Sequence, residues 1–128
     1  MISQEQKLCY WLDSAKNDQE AAQKLFEVGK YDWCLFLWHL VIEKLLKAKL
    51  TKEGQEIPAI HDLKTLSKNT RLSFSPEEMT QLIEITSFNI NARYDDYKRS
   101  FYHKADQEYA AKWSNICETI ADKIKSTL

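Results

Sequence analysis

From Tyr31 to Leu50 the chain reads YDWCLFLWHLVIEKLLKAKL. The first half, Trp33 to Ile42, is apolar nearly all round and is interrupted only by His39. It is too short to span a bilayer, which takes about 20 apolar residues. A helix apolar on every side has to be covered on more than one side. The second half, from Glu43, returns to two faces, with Glu43 and Lys47 at the favourable i,i+4 spacing. This stretch therefore predicts a central helix in an all-α bundle. In a chain of 128 residues, the remaining helices are expected to leave part of that surface uncovered. The sequence thus predicts a homodimer, with Trp33, Phe36, Leu37 and Leu40 as candidate interface residues.

Other helices extend from this one in both directions. Before it, Leu8, Trp11, Leu12, Ala15, Ala22, Leu25 and Phe26 recur at helical spacing. Ser3 and Gln6 form a capping-box pattern at the start, and Gly29 is a stop signal. The short connection predicts that the two helices run antiparallel. After it, TKEGQEIPAI reads as a loop. HDLKTLSKN reads as a short third helix, with His61 or Asp62 at its start. Ser75-Pro76-Glu77-Glu78 opens a fourth helix. Met79, Leu82, Ile83 and Thr86 are expected to face inward, and the end is expected near Phe88 to Ile90. Asp106 is expected to cap a last helix with a stripe of Tyr109, Trp113, Ile116, Cys117, Ile120 and Ile124. No repeat or linker divides the chain, so residues 1–128 are expected to form one domain of about five helices.

Composition narrows the function classes. Two Gly and two Pro argue against an all-β fold rich in tight turns. A net charge of −1 excludes a protein that binds polyanions over its whole surface, so any nucleic-acid affinity has to be local. Cys9, Cys34 and Cys117 lack C-x-x-C spacing, and they are expected to be reduced thiols packed as small apolar groups in a cytoplasmic protein. The N-terminus MISQEQKLCYW has no apolar signal core. There is no Gly-rich phosphate loop, no G-x-S-x-G and no metal-ligand spacing. No cofactor or metal is expected, and Asp95, Asp96 and His103 do not form a ligand set. His39 is expected to be a hydrogen-bonded core or interface histidine.

One segment departs from plain amphipathic helix: Arg93 to Lys104, RYDDYKRSFYHK. Its four Arg and Lys against two Asp leave about +2 on a slightly acidic chain. Taken singly, Arg93 is expected to pair with Asp95, Asp96 or a helix C-terminus. Tyr94, Tyr97, Phe101 and Tyr102 are expected to pack against the bundle. Together, basic groups interleaved with rings suit single-stranded RNA or a nucleotide. The candidate binding residues are Arg93, Tyr97, Lys98, Arg99, His103 and Lys104. Metal-free RNA cleavage needs a base, an acid and a cation at the phosphorane. Arg99 and His103, four apart, would share one helical face, and a symmetric dimer would bring two such pairs to one cleft. They are the candidate catalytic pair.

The order of these pieces resembles the HEPN family, named for higher eukaryotes and prokaryotes nucleotide-binding. The resemblance runs through SAKNDQEAAQKLFEVGKYDWCLFLWHLVIEKLLKAKL, IHDLKTLSKN, ARYDDY and a Tyr- and Trp-bearing final helix. The phrase HLVIEKLLKA carries it most clearly. It implies a helical bundle with a long antiparallel pair, usually a homodimer. Many members are metal-independent endoribonucleases, often toxins held by an antitoxin, and use an Arg followed by His after four to six residues. Others serve as binding partners of a small nucleotidyltransferase. Here nine residues separate Arg93 from His103, and three separate Arg99 from His103. The leading expectation is therefore a binding and interaction module that lacks nuclease activity, partners a nucleotidyltransferase-type protein and holds nucleotide or RNA. The alternative is a metal-independent endoribonuclease toxin using Arg99 and His103, with Arg93 in support. A purely structural dimer is the third reading.

Overall fold

Short polar signals set where most of the helices begin. Ser3 and Gln6 close a capping box around the first turn, as do Ser75 and Glu78. Pro76 follows Ser75 at the first helical position, where its missing N–H is not needed. Asp62 and Asp106 each accept a backbone N–H of the turn they precede. The computed structural model describes all residues, Met1 to Leu128. It consists of α1 (Gln4–Glu27), α2 (Tyr31–Lys52), α3 (Leu63–Asn69), α4 (Pro76–Arg93), α5 (Ser100–Lys104) and α6 (Gln107–Lys125). Gly29, at φ 80°, supplies the left-handed turn between α1 and α2.

α2 is the axis of the molecule. α1 packs along it antiparallel, and α6, α4 and α3 cover its other sides. Leu35, Trp38, Ile42, Leu45, Leu46 and Leu50 are all fully buried along its length. One hydrophobic cluster draws residues from all six helices, including Ala15, Leu63, Leu82, Phe101 and Trp113. Fully burying a large apolar side chain contributes roughly 1.5–3 kcal/mol. Trp33 stays 43% exposed, and Phe36, Leu37 and Leu40 are only half-buried. These four, at i, i+3, i+4 and i+7, form the one apolar stripe of α2 that the other helices leave open.

The all-α bundle of about five helices is borne out, and the segment after α4 adds a sixth, short helix of its own. Several details need correction. α4 runs to Arg93, past the expected end. Its inward face is Leu82, Ile85, Phe88, Asn89 and Ala92, while Ile83 is 52% exposed. Leu82 sets the face, and Ile83 lies about 100° round the helix from it. Cys34 and Cys117 are buried as expected, but Cys9 is exposed on α1. No helix is long and apolar enough to cross a membrane.

Candidate functional site

The charged segment is folded by its own two aspartates. At the end of α4, Arg93 turns its Nε–H back onto the Asn89 carbonyl at 3.2 Å. Of the expected partners for Arg93 this is the helix C-terminus, and neither Asp95 nor Asp96. The Asp95 carboxylate accepts the Phe101 and Tyr102 backbone N–H groups at 3.0 Å each. Asp96 accepts from Ser100 twice, at 2.9 Å from the N–H and 2.7 Å from the hydroxyl. These Ser100 bonds hold the Asp96 carboxyl below the usual carboxylate range. The turn places Arg99 at φ 56°, left-handed for a non-glycine residue. Phe101 plugs the segment into the core against Phe88, with ring centroids 5.9 Å apart.

Phe101 is the one ring of the four that packs inside. Tyr94, Tyr97 and Tyr102 are 70%, 92% and 43% exposed. Each has a cation near its ring: Arg93 lies 5.2 Å from Tyr94, Lys98 lies 5.9 Å from Tyr97 and Arg99 lies 3.7 Å from Tyr102. The expectation that these rings pack against the bundle fails for all three tyrosines. Only Tyr102 shares α5 with the Phe101 anchor; Tyr94 ends α4 and Tyr97 lies in the turn between the two helices. None of these three cations has a carboxylate within ion-pair distance. Exposed rings with adjacent cations match the means by which single strands are held, stacking plus phosphate contact.

Lys104 is placed differently. Its ammonium donates to Glu84 of α4 at 3.2 Å and lies 5.2 Å from the Tyr109 ring. The Tyr109 hydroxyl donates to the same Glu84 oxygen. Burial pushes the Glu84 carboxyl up, but hydrogen bonds from Tyr109 and Lys104 outweigh it and leave the group below its ordinary range. Burial and the neighbouring Glu84 together push the Tyr109 phenol up. Arg99 and His103 do not form a joined pair. Both lie against Tyr102, with the guanidinium 3.7 Å and the imidazole 5.3 Å from its ring centre. No side-chain hydrogen bond orients the His103 imidazole.

A family model described as the HEPN domain matches residues 9–127. The chain belongs to the HEPN family. Two solved structures share the fold. TT1696 from Thermus thermophilus superposes with a TM-score of 0.85 at 18% identity, covering 95% of this chain and 98% of that one. ST0689, described as an archaeal HEPN homologue, gives 0.75 at 22% identity over 94% of this chain and 96% of its own. A comparison with curated proteins gives no match.

This HEPN bundle also holds a polar network in which His61 joins the Glu43–Lys47 pair and His39, a link the sequence does not show. Glu43, on α2, is buried to 5% exposure and sits between two partners. It accepts from Lys47 Nζ at 3.1 Å and from His61 Nδ1 at 2.8 Å. Lys47 also lies 5.6 Å from the Trp11 ring. One turn earlier on α2, buried His39 places Nε2 3.1 Å from the His61 carbonyl. A carbonyl only accepts, so Nε2 carries the proton and Nδ1 is left with a lone pair and no partner. His39 is thus the hydrogen-bonded core histidine expected. Burial pushes its pKa down, countered in part by the His61 carbonyl and Glu43. The signal for this network was the i, i+4, i+8 spacing of His39, Glu43 and Lys47, but its partner His61 lies across a loop. A groove of about 1070 Å³ between the start of α1 and the loop after α2 lies away from the charged segment. Its Gln4 and Gln6 amides are already used, on the Thr51 carbonyl and in the α1 cap.

Proposed function

We propose that this HEPN chain is a dimeric binding and interaction module that holds nucleotide or RNA phosphate and bases at Arg93, Lys98 and Arg99 and their neighbouring tyrosines, without cleaving them. The observation that carries the reading is that three tyrosines of the segment, Tyr94, Tyr97 and Tyr102, are exposed, each beside a cation with no carboxylate partner. The structure spends little apolar burial on this segment, and rings left in water beside free cations suit a ligand that brings its own bases and phosphates. Against the endoribonuclease reading stand the Arg-to-His spacing and the unoriented His103 imidazole, because proton transfer needs a positioned group. The test is fluorescence anisotropy with labelled single-stranded RNA. Affinity is expected to fall as salt rises, and Lys98→Ala with Arg99→Ala is expected to weaken binding while helical circular dichroism is unchanged. Equal affinity for wild type and double variant overturns the reading. Metal-free protein is expected to leave the RNA intact; cleavage that His103→Ala abolishes would establish the nuclease instead.

The open stripe of Trp33, Phe36, Leu37 and Leu40 supports the homodimer. Ile90, 61% exposed, supplies further apolar surface from α4. Sedimentation at micromolar concentration is expected to give twice the monomer mass, and Phe36→Asp is expected to halve it. A nucleotidyltransferase-type protein is the partner this reading assigns, with an antitoxin as the partner under the nuclease alternative. Co-purification with the product of the neighbouring reading frame separates the two.

A further inference from the structure

The four cations of the segment are not equivalent. Arg93, Lys98 and Arg99 have no carboxylate partner, and each faces an exposed tyrosine. Lys104 is held by Glu84 at 3.2 Å. Glu84 is itself gripped by the Tyr109 hydroxyl from α6, so its carboxylate is fixed from a second helix and does not travel with Lys104. We infer that Glu84 is a specificity-determining residue: it keeps Lys104 off the ligand and leaves three cation–tyrosine steps, which select an extended single strand of about three nucleotides over a mononucleotide.

The inference rests on the proposed nucleotide- or RNA-binding reading and names its ligand class. A mononucleotide brings one base and one monoester phosphate, enough for one of the three steps. Each further nucleotide engages another ring and another cation. The steps are indifferent to base identity, because every base has a π-face to stack. Three phosphates on a single strand give a slope of log affinity against log salt of roughly −2, at about −0.7 per phosphate. A fourth cation would steepen it by about 0.7.

The experiment measures anisotropy of labelled uridine oligonucleotides of increasing length, from the mononucleotide upward, across a salt series. Affinity is expected to rise by at least about tenfold from one nucleotide to three, since stacking of each base is worth that order, and to change little beyond. Wild type is expected to give the three-phosphate slope, and K104A the same slope. E84Q, which releases Lys104, is expected to steepen it, and E84Q with K104A to restore it. A mononucleotide bound as tightly as the longer strands overturns the inference but leaves the underlying reading standing. A shallower slope for K104A alone also overturns it, and that variant keeps the test decisive if E84Q perturbs the fold. Absence of binding at every length overturns the inference together with the reading beneath it.

Discussion

Charge is handled in opposite ways at two places in this bundle. Inside, on α2, Glu43 and Lys47 are both nearly buried, and every charged atom of the pair has a partner: each other, His61 and the Trp11 ring. Outside, after α4, Arg93, Lys98 and Arg99 are exposed beside tyrosine rings with no acid opposite them. A charge without a partner is costly in the interior and nearly free at the surface. The network on α2 therefore reads as part of the fold, and the three surface cations as charges the fold does not need to neutralise.

The comparison breaks most visibly at its buried end. Glu43→Ala strands Lys47 as an unpaired buried charge and removes the acceptor of His61, so a loss of about 3–5 kcal/mol is expected in urea unfolding. Pairing Glu43→Leu with Lys47→Met is expected to recover much of that loss, because no buried charge then remains. A single-variant loss below about 1 kcal/mol would show that solvent reaches the pair. Phe101→Ala tests the anchor between the two regions. Its cost is expected to be similar, about 3–5 kcal/mol for a buried aromatic ring, followed by thermal melting.

At the exposed end the readout moves from stability to binding. Tyr97→Ala is expected to change stability by no more than about 0.5 kcal/mol and to weaken single-stranded RNA by about 1–3 kcal/mol. A large fall in melting temperature would mean that Tyr97 packs against something in solution. Asp95→Ala removes the cap of α5 and is expected to cost about 1 kcal/mol, read as faster hydrogen exchange at Phe101 and Tyr102.

The subtlest effect is a pH slope from His39. Burial depresses its folded pKa, while Glu43 on its own helix, His61 before α3 and Arg93 at the end of α4 face it. The unfolded imidazole takes a proton near pH ~6.5. Stability from the neutral imidazole is therefore fully present above that pH and is lost as pH falls from there through the depressed folded value. His39→Leu is expected to flatten unfolding free energy against pH below ~6.5. An unchanged slope would assign the dependence to another group.

Much of the scaffold was legible along the chain. Ser3 with Gln6, and Ser75 with Pro76 and Glu78, mark their helix starts within four residues. The candidate dimer stripe was named residue by residue from the apolar run of α2, and those same four are the residues of that run left partly or largely exposed. The inward face of α4 was misjudged at Ile83, because Met79, Leu82, Ile83 and Thr86 fit a helical stripe as well as Leu82, Ile85 and Phe88 do. Only packing against α2 and α6 chooses between such faces. In the segment after α4, the residue types were readable but their allocation was not: four rings looked equally able to pack, and four cations equally free.

By itself, then, the sequence determined the five helices other than α5, the central place of α2, the HEPN membership and the residues of the charged segment. These follow from signals that act over a few residues: a period of 3.6, a cap, a glycine stop, a run of apolar side chains. The tertiary structure alone decided that Phe101 goes inside while three tyrosines stay out. It also joined Lys104 to Glu84, 20 residues away, and His61 to Glu43, 18 residues away. Helical periodicity is blind to pairings at that range, because a partner on another helix is set by how the helices pack and not by spacing along either one.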